Sequence, residues 1–222
     1  MGEVADAYAG CRARIAGLTR DLDAAGAATA VPTCPAWTVH DVVAHLSGVV
    51  VDVANGNLDG ITTDPWTAAQ VDARRARSVA EILAEWDEHA PGFESLLDGI
   101  GEPGRQAVAD VATHEHDIRC ALGRPGERDS DAVHIGLGMI ARAFVASCEG
   151  RGLAVRLEPE GGEAVGPTDA PVVVRGDEFE LLRALTGRRS PDQLRALGVP
   201  DDAALALFTF GPFHPAASPI AE

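Results

Sequence analysis

The stretch ADVATHEHDIRC, residues 109–120, places two histidines and three carboxylates within the eight positions from Asp110 to Asp117. So many lone-pair donors in one segment suit a divalent cation, and which of them can share one centre depends on local structure. In a helix, residues four apart share a face and residues two apart point about 200° away from each other. Asp110, His114 and Asp117 then stack on one side, Glu115 lies about 100° round from His114, and His116 faces nearly opposite it. A strand would reverse this and pair His114 with His116 as a chelate.

Flanking residues favour the helix. GEPGR opens it and Gly123-Arg124-Pro125-Gly126 stops it, so a helix is predicted from Arg105 to Leu122 and His116 leaves the candidate set. An i, i+4 carboxylate–imidazole pair grips a divalent ion only with help. A third ligand must come from a facing helix, with a position left open for water or substrate. His45, in HDVVAHLSG one turn after Asp41, is the best donor. One carboxylate and two imidazoles suit zinc or another borderline divalent ion. Asp117, about one turn beyond His114, is placed to orient a ligand or to salt-bridge an arginine. The same residues also fit a satisfied core histidine at 45 and a capping or salt-bridging pair at 110 and 114. Spacing alone leaves those readings open beside the metal. His40, His89, His134 and His214 read as surface or structural.

The elements that must position these groups are mostly helical. Apolar residues recur at helical spacing from Val4 to Ala25, and a loop with Pro32 and Pro35 follows. Thr38 and Asp41 form a capping-box pair before a helix that carries His45 and ends near Asn55-Gly56. A third helical region is predicted from Trp66 to Leu97, with Ser78 and Glu81 as a second capping box and a break or kink at Pro91. A fifth helix is expected from Asp131 to Cys148. Four long helices with a returning fifth make a bundle the natural architecture. After residue 150 the texture changes. LAVRLEP and PVVVRG read as strands, DEFELLRALTGR and SPDQLRAL as helices, and ALALFTF as a last strand. The expected division is therefore a helical domain over 1–150 and a small α+β domain over 151–222.

Composition bounds the function classes. The 222 residues suffice for a real core, with 46% hydrophobic and 23% charged. A formal charge of −16 repels nucleic acid and anionic membrane, so neither is an expected partner. No continuous apolar run approaches the roughly 18 residues of a spanning helix, and the N-terminus lacks signal-peptide order; a cytoplasmic protein is expected. All 18 basic residues are arginine, which removes Schiff-base lysine chemistry and a P-loop and fits a high-GC genome. Cys11, Cys34, Cys120 and Cys148 form no CxxC pair, so a four-cysteine zinc site has no support and reduced thiols are expected.

Three segments carry a family resemblance. VPTCPAWTVHDVVAHLSG resembles the P-x-C-P-x-W-T-V-x-D-L-x-x-H-L signature of the mycothiol-dependent maleylpyruvate isomerase family, DinB-like four-helix-bundle metalloenzymes. DVATHEHDIRCALGRPG resembles its second signature, a carboxylate and three residues before HEQDIRRALGRPG. LLRALTGRRSPDQL is similar to the opening of its smaller C-terminal domain. The matches lie in order from Val31 to Leu194. The resemblance implies an up-down-down-up bundle followed by a small α+β domain, an actinobacterial source, and a zinc site of one His on the second bundle helix with a carboxylate and a His on the fourth. Carried onto this sequence, those ligands are His45, Asp110 and His114. This chain has Asp110 where the isomerase uses Glu, and His116 in place of the usual Gln.

The implied chemistry is thiol addition. A metal-activated thiolate of mycothiol adds to an activated double bond, the new single bond rotates, and the thiolate leaves: cis–trans isomerisation. If the adduct is released instead, the enzyme is an S-transferase. A small electrophilic substrate bearing carboxylates would need arginine, for which Arg188 or Arg189 in TGRRS is the candidate, beside a plain solvated helix end. Cys34 fits loop packing better than a nucleophile. A zinc hydrolase that activates water and a non-catalytic metal- or ligand-binding bundle remain as other readings. Oligomeric state, monomer or homodimer, is open.

Overall fold

The structure, a computed structural model, describes residues 2–222. Seven helices precede a two-stranded sheet: α1 (Glu3–Thr19), α2 (Ala24–Ala27), α3 (Val39–Asn55), α4 (Asp64–Arg74), α5 (Val79–Leu97), α6 (Glu102–Leu122) and α7 (Asp131–Gly150). Strands β1 (Val155–Pro159) and β2 (Val172–Gly176) follow, then α8 (Glu178–Leu185), α9 (Pro191–Ala196), α10 (Asp202–Leu205) and a 3₁₀ turn over Ala206–Phe208.

The chain forms two compact units. One is the chain up to Ala107 together with His114–Gly126; the other is Val108–Thr113 with Glu127–Glu222. In the first, α3 packs against α4 and α5, and α5 against α1. Its core is built from Tyr8, Ile15, Val42, Val43, Leu46, Ile82 and Trp86, all at helical spacing within their elements. Both predicted capping boxes are present: Thr38 with Asp41 starts α3, and Ser78 with Glu81 starts α5. The second box also divides the single predicted region 66–97 into α4 and α5. Pro91 neither breaks nor ends α5, which runs through it to Leu97 because Ala90, Phe93, Glu94 and Leu97 remain buried on one side.

In the second unit β1 and β2 pair in parallel, Val155 opposite Val172 and Leu157 opposite Val174. Helix α7 packs on α8 and β1, and α8 on β2. Their shared core includes Leu137, Phe144, Val174, Leu181, Leu182 and Phe208. By this packing α7 lies with the sheet in the second unit. Its 20 residues are long and apolar enough by composition to cross a bilayer; in this fold the apolar residues from Ala132 to Cys148 are core. The expected strand over ALALFTF is instead α10 and the 3₁₀ turn. Asp201 caps α10 by accepting from Ala204 N, and the alternating alanines and leucines favour a helical turn that buries Leu207 and Phe208.

Candidate metal centre

Helix α6 begins at Glu102 with Pro103 in its first turn and ends at Gly123 in the left-handed conformation (φ 61°), which satisfies its last carbonyls. It is continuous from Asp110 to Asp117, so the i, i+4 relation of Asp110 and His114 is realised. The capped start of α3 brings His45 to the same centre. His45, Asp110 and His114 each offer one ligand atom, and these atoms lie within 4.8 Å of one another. His45 and His114 are only 6% and 8% exposed. Their ring centroids are 5.3 Å apart with planes at 77°.

Both imidazoles are oriented through Nδ1. His114 Nδ1 lies 2.9 Å from Asp117 Oδ2, whose carboxylate accepts its proton. His45 Nδ1 lies 2.8 Å from Gln70 Oε1 on α4. Gln70 Nε2 donates to Asp52 Oδ2 at 2.7 Å, so Asp52 sets which end of the amide faces His45 and therefore which nitrogen carries the proton. With Nδ1 so engaged, Nε2 is the ring nitrogen that could serve as a metal ligand. Gly48 makes room for this arrangement: a Cβ there would meet Gln70 Cβ at 2.5 Å. No periodicity pointed to Gln70, because it acts from a separate helix; a polar residue buried beside Val71 is its only trace in the sequence.

The loop of VPTCPAW is pinned by its own backbone, with Cys34 N donating to Val31 O, Trp37 N to Cys34 O and Val31 N to Trp37 O. It sets the half-buried Trp37 ring 5.2 Å from the His45 ring and 5.7 Å from that of His114. It also places Cys34 Sγ 3.5 Å from Asp117 Oδ2. Cys34, His114 and Asp117 consequently form a second close donor group sharing His114 with the first.

The other polar residues of the segment do different work. Glu115 accepts from Arg14 of α1 at 2.9 and 2.8 Å and from Arg119 at 2.9 Å. Burial pushes its carboxyl up, but the bonds from Arg14, Cys11 and Arg119 outweigh that and hold it below the usual glutamate value. Burial, reinforced by the Glu115 charge, pushes the Cys11 thiol well above its ordinary value, so it is no thiolate nucleophile. His116 is buried and belongs to neither donor group. Arg188 and Arg189 are buried rather than solvated. Arg188 donates to Thr186 O at 2.5 Å, and Arg189 is paired with Glu180 and Glu222.

The donor set fits a divalent cation on its own chemistry. One carboxylate and two imidazoles, each ring held at Nδ1 by an outer hydrogen bond, converge in one place, a donor set that suits a borderline divalent ion. Fold and donors together define a helical protein with a histidine–carboxylate centre. The sequence profile of the family described as mycothiol maleylpyruvate isomerase N-terminal domain matches residues 8–124, more than half of the chain. The chain belongs to this family of enzymes. Among solved structures, a His-to-Ala mutant of mycothiol-dependent maleylpyruvate isomerase matches with a TM-score of 0.59 at 13% identity, covering 84% of this chain and 88% of that one. The structure of that isomerase without the substitution matches with a TM-score of 0.54 at the same identity and coverage. At this identity the likeness is one of fold, the expected mainly helical architecture with a small sheet. No curated protein matches the chain in sequence.

Proposed function

We propose that this chain is a metal-dependent, thiol-using enzyme in which His45, Asp110 and His114 hold a divalent cation, zinc by donor type, and mycothiol is the cosubstrate. It acts on a small electrophile as an isomerase or as a thiol S-transferase. The observation that carries this reading is the convergence of three lone-pair donors within 4.8 Å, with both histidine tautomers set from outside. The family and the activity of the two similar proteins support the thiol and the reaction class.

A divalent cation, which His45, Asp110 and His114 would hold, would favour thiolate over thiol at neutral pH and so would supply the nucleophile. The protein's own groups do the positioning. Asp117 and Gln70 hold the two rings through Nδ1, and Trp37 packs against both. Asp110 would supply the carboxylate ligand from a side chain one methylene shorter than glutamate. Arg189 already faces two carboxylates and is not assigned a substrate role.

Calorimetric titration of metal-loaded protein with mycothiol tests the reading. Saturable heat that disappears in His114→Ala is expected. Absence of heat at two temperatures, with metal present, would contradict thiol chemistry, and turnover undiminished without thiol would point to water activation instead.

A further inference from the structure

The first unit holds a second set of metal-type donors, which shares only His114 with the proposed centre. Cys34, His114 and Asp117 each offer one ligand atom, and these atoms lie within 4.8 Å of one another. Asp117 and His114 are buried on α6. Cys34 is half-buried and is followed by the exposed Pro35 and Ala36, so the group is reached from the loop side.

All three donors stand on fixed backbone. His114 and Asp117 are neighbours at i, i+3 on one helix. Cys34 is held at both of its peptide groups: its N–H donates to Val31 O at 3.0 Å, and its carbonyl accepts from Trp37 N at 2.8 Å. Pro32 and Pro35 fix φ on either side of it. A loop so pinned has little freedom left to lose when an ion arrives.

The spacing is that of a coordination edge. A tetrahedral ion with bonds of about 2.3 Å to sulfur and about 2.0 Å to nitrogen or oxygen sets sulfur about 3.5 Å from oxygen and nitrogen about 3.3 Å from oxygen. Cys34 Sγ lies 3.5 Å from Asp117 Oδ2, and His114 Nδ1 lies 2.9 Å from the same oxygen. The sulfur edge already has its coordinated length, and the nitrogen edge opens by about 0.4 Å. Charge points the same way. A thiolate and an aspartate cancel the two charges of a dication, and sulfur with imidazole selects thiophilic ions over magnesium or calcium. The His45–Asp110–His114 group has one carboxylate and no sulfur.

We infer that Cys34, His114 and Asp117 form a second cation site, for a thiophilic divalent ion, which competes with the first centre for the ring of His114. On binding, Cys34 releases its thiol proton to solvent and the Nδ1 proton of His114 moves to Nε2, so the ring stays neutral. Bonds then run from the ion to Sγ, Nδ1 and an Asp117 oxygen. With Nε2 protonated, His114 no longer serves the first centre. The competition rests on the proposed function; the site does not.

Cadmium is the probe, because ultraviolet sulfur-to-cadmium charge transfer reports a thiolate ligand. In reduced, full-length His45→Ala, this absorption should grow to saturation at about one ion per chain. It should vanish in His45→Ala/Cys34→Ser. Binding in His45→Ala/Asp117→Asn should weaken by at least the roughly 10- to 100-fold that loss of an outer partner costs a metal site. Absorption that persists without Cys34, or cadmium binding unchanged by Asp117→Asn, would overturn the site, with circular dichroism confirming that each variant keeps its helices. In unaltered protein reloaded with zinc, the absorption should rise in step with zinc released to a chromophoric chelator. Absorption that saturates with zinc retained would overturn the competition. Failure to load zinc would overturn the competition together with the proposed function, and the His45→Ala titration decides the site by itself.

Discussion

The His45–Asp110–His114 group and the Arg183–Arg189–Glu222 group are both buried polar clusters, yet they are built to opposite rules. In the first, three acceptor-type atoms face one another and the hydrogen bonds that orient the rings come from outside, through Gln70 and Asp117. Such a group would suit the cation proposed for it. In the second, cations and carboxylates are interleaved: Glu180 and Glu222 sit between Arg183 and Arg189. That cluster is electrostatically complete from within the chain. Counting charged residues does not separate a metal centre from a structural ion cluster; the separating feature is whether donors and acceptors already alternate.

The comparison can be broken at several points. Arg183→Met has the largest expected effect on stability. It leaves the Glu222 carboxylate without its bidentate partner and Thr113 O without its added donor, and should cost about 3–5 kcal/mol, read from urea midpoints. A loss below about 1 kcal/mol would mean that the cluster is not the internally paired structure described. Asp117→Asn comes next. It removes the carboxylate that accepts from His114 Nδ1, and metal affinity should fall by about 10- to 100-fold with unfolding stability nearly unchanged. Competition with a chromophoric chelator measures this directly.

The smallest effect is on pH dependence. Glu180 is held below the ordinary glutamate value of 4.5, chiefly by its hydrogen bonds from Arg189 and against the opposing effect of burial. Its contribution to stability is therefore present above the unfolded value and is lost as pH falls through the depressed folded one. Urea midpoints measured from about pH 6 to about pH 3 should decline with acid, and Glu180→Gln should flatten that decline.

Local chemistry was readable along the chain, and partnership across it was not. Thr38 with Asp41 and Ser78 with Glu81 are contacts three residues apart, and both capping boxes form as their spacing implies. Asp110 and His114 share a helix face for the same reason. The strands over residues 155–159 and 172–176 follow from short β-branched runs between Gly and Pro. Gln70, Cys34 and Trp37 reach the centre from other elements, where no period marks them. DEFELLRALTGR reads as a helix, and nothing in it marks Arg183 as the partner of Glu222, 39 positions away. ALALFTF misled because alternation of small and large apolar residues also suits a capped helical turn when alanine supplies the small ones.

The account's central claim is that His45, Asp110 and His114 form a cation-binding centre, and metal content tests it most directly. The purified protein, stripped with chelator, reloaded with zinc and desalted, should retain about one ion per chain by elemental analysis. His45→Ala, with its helical circular dichroism intact, should retain almost none. Unaltered protein that resists reloading, or a His45→Ala variant that keeps its ion, would contradict the claim.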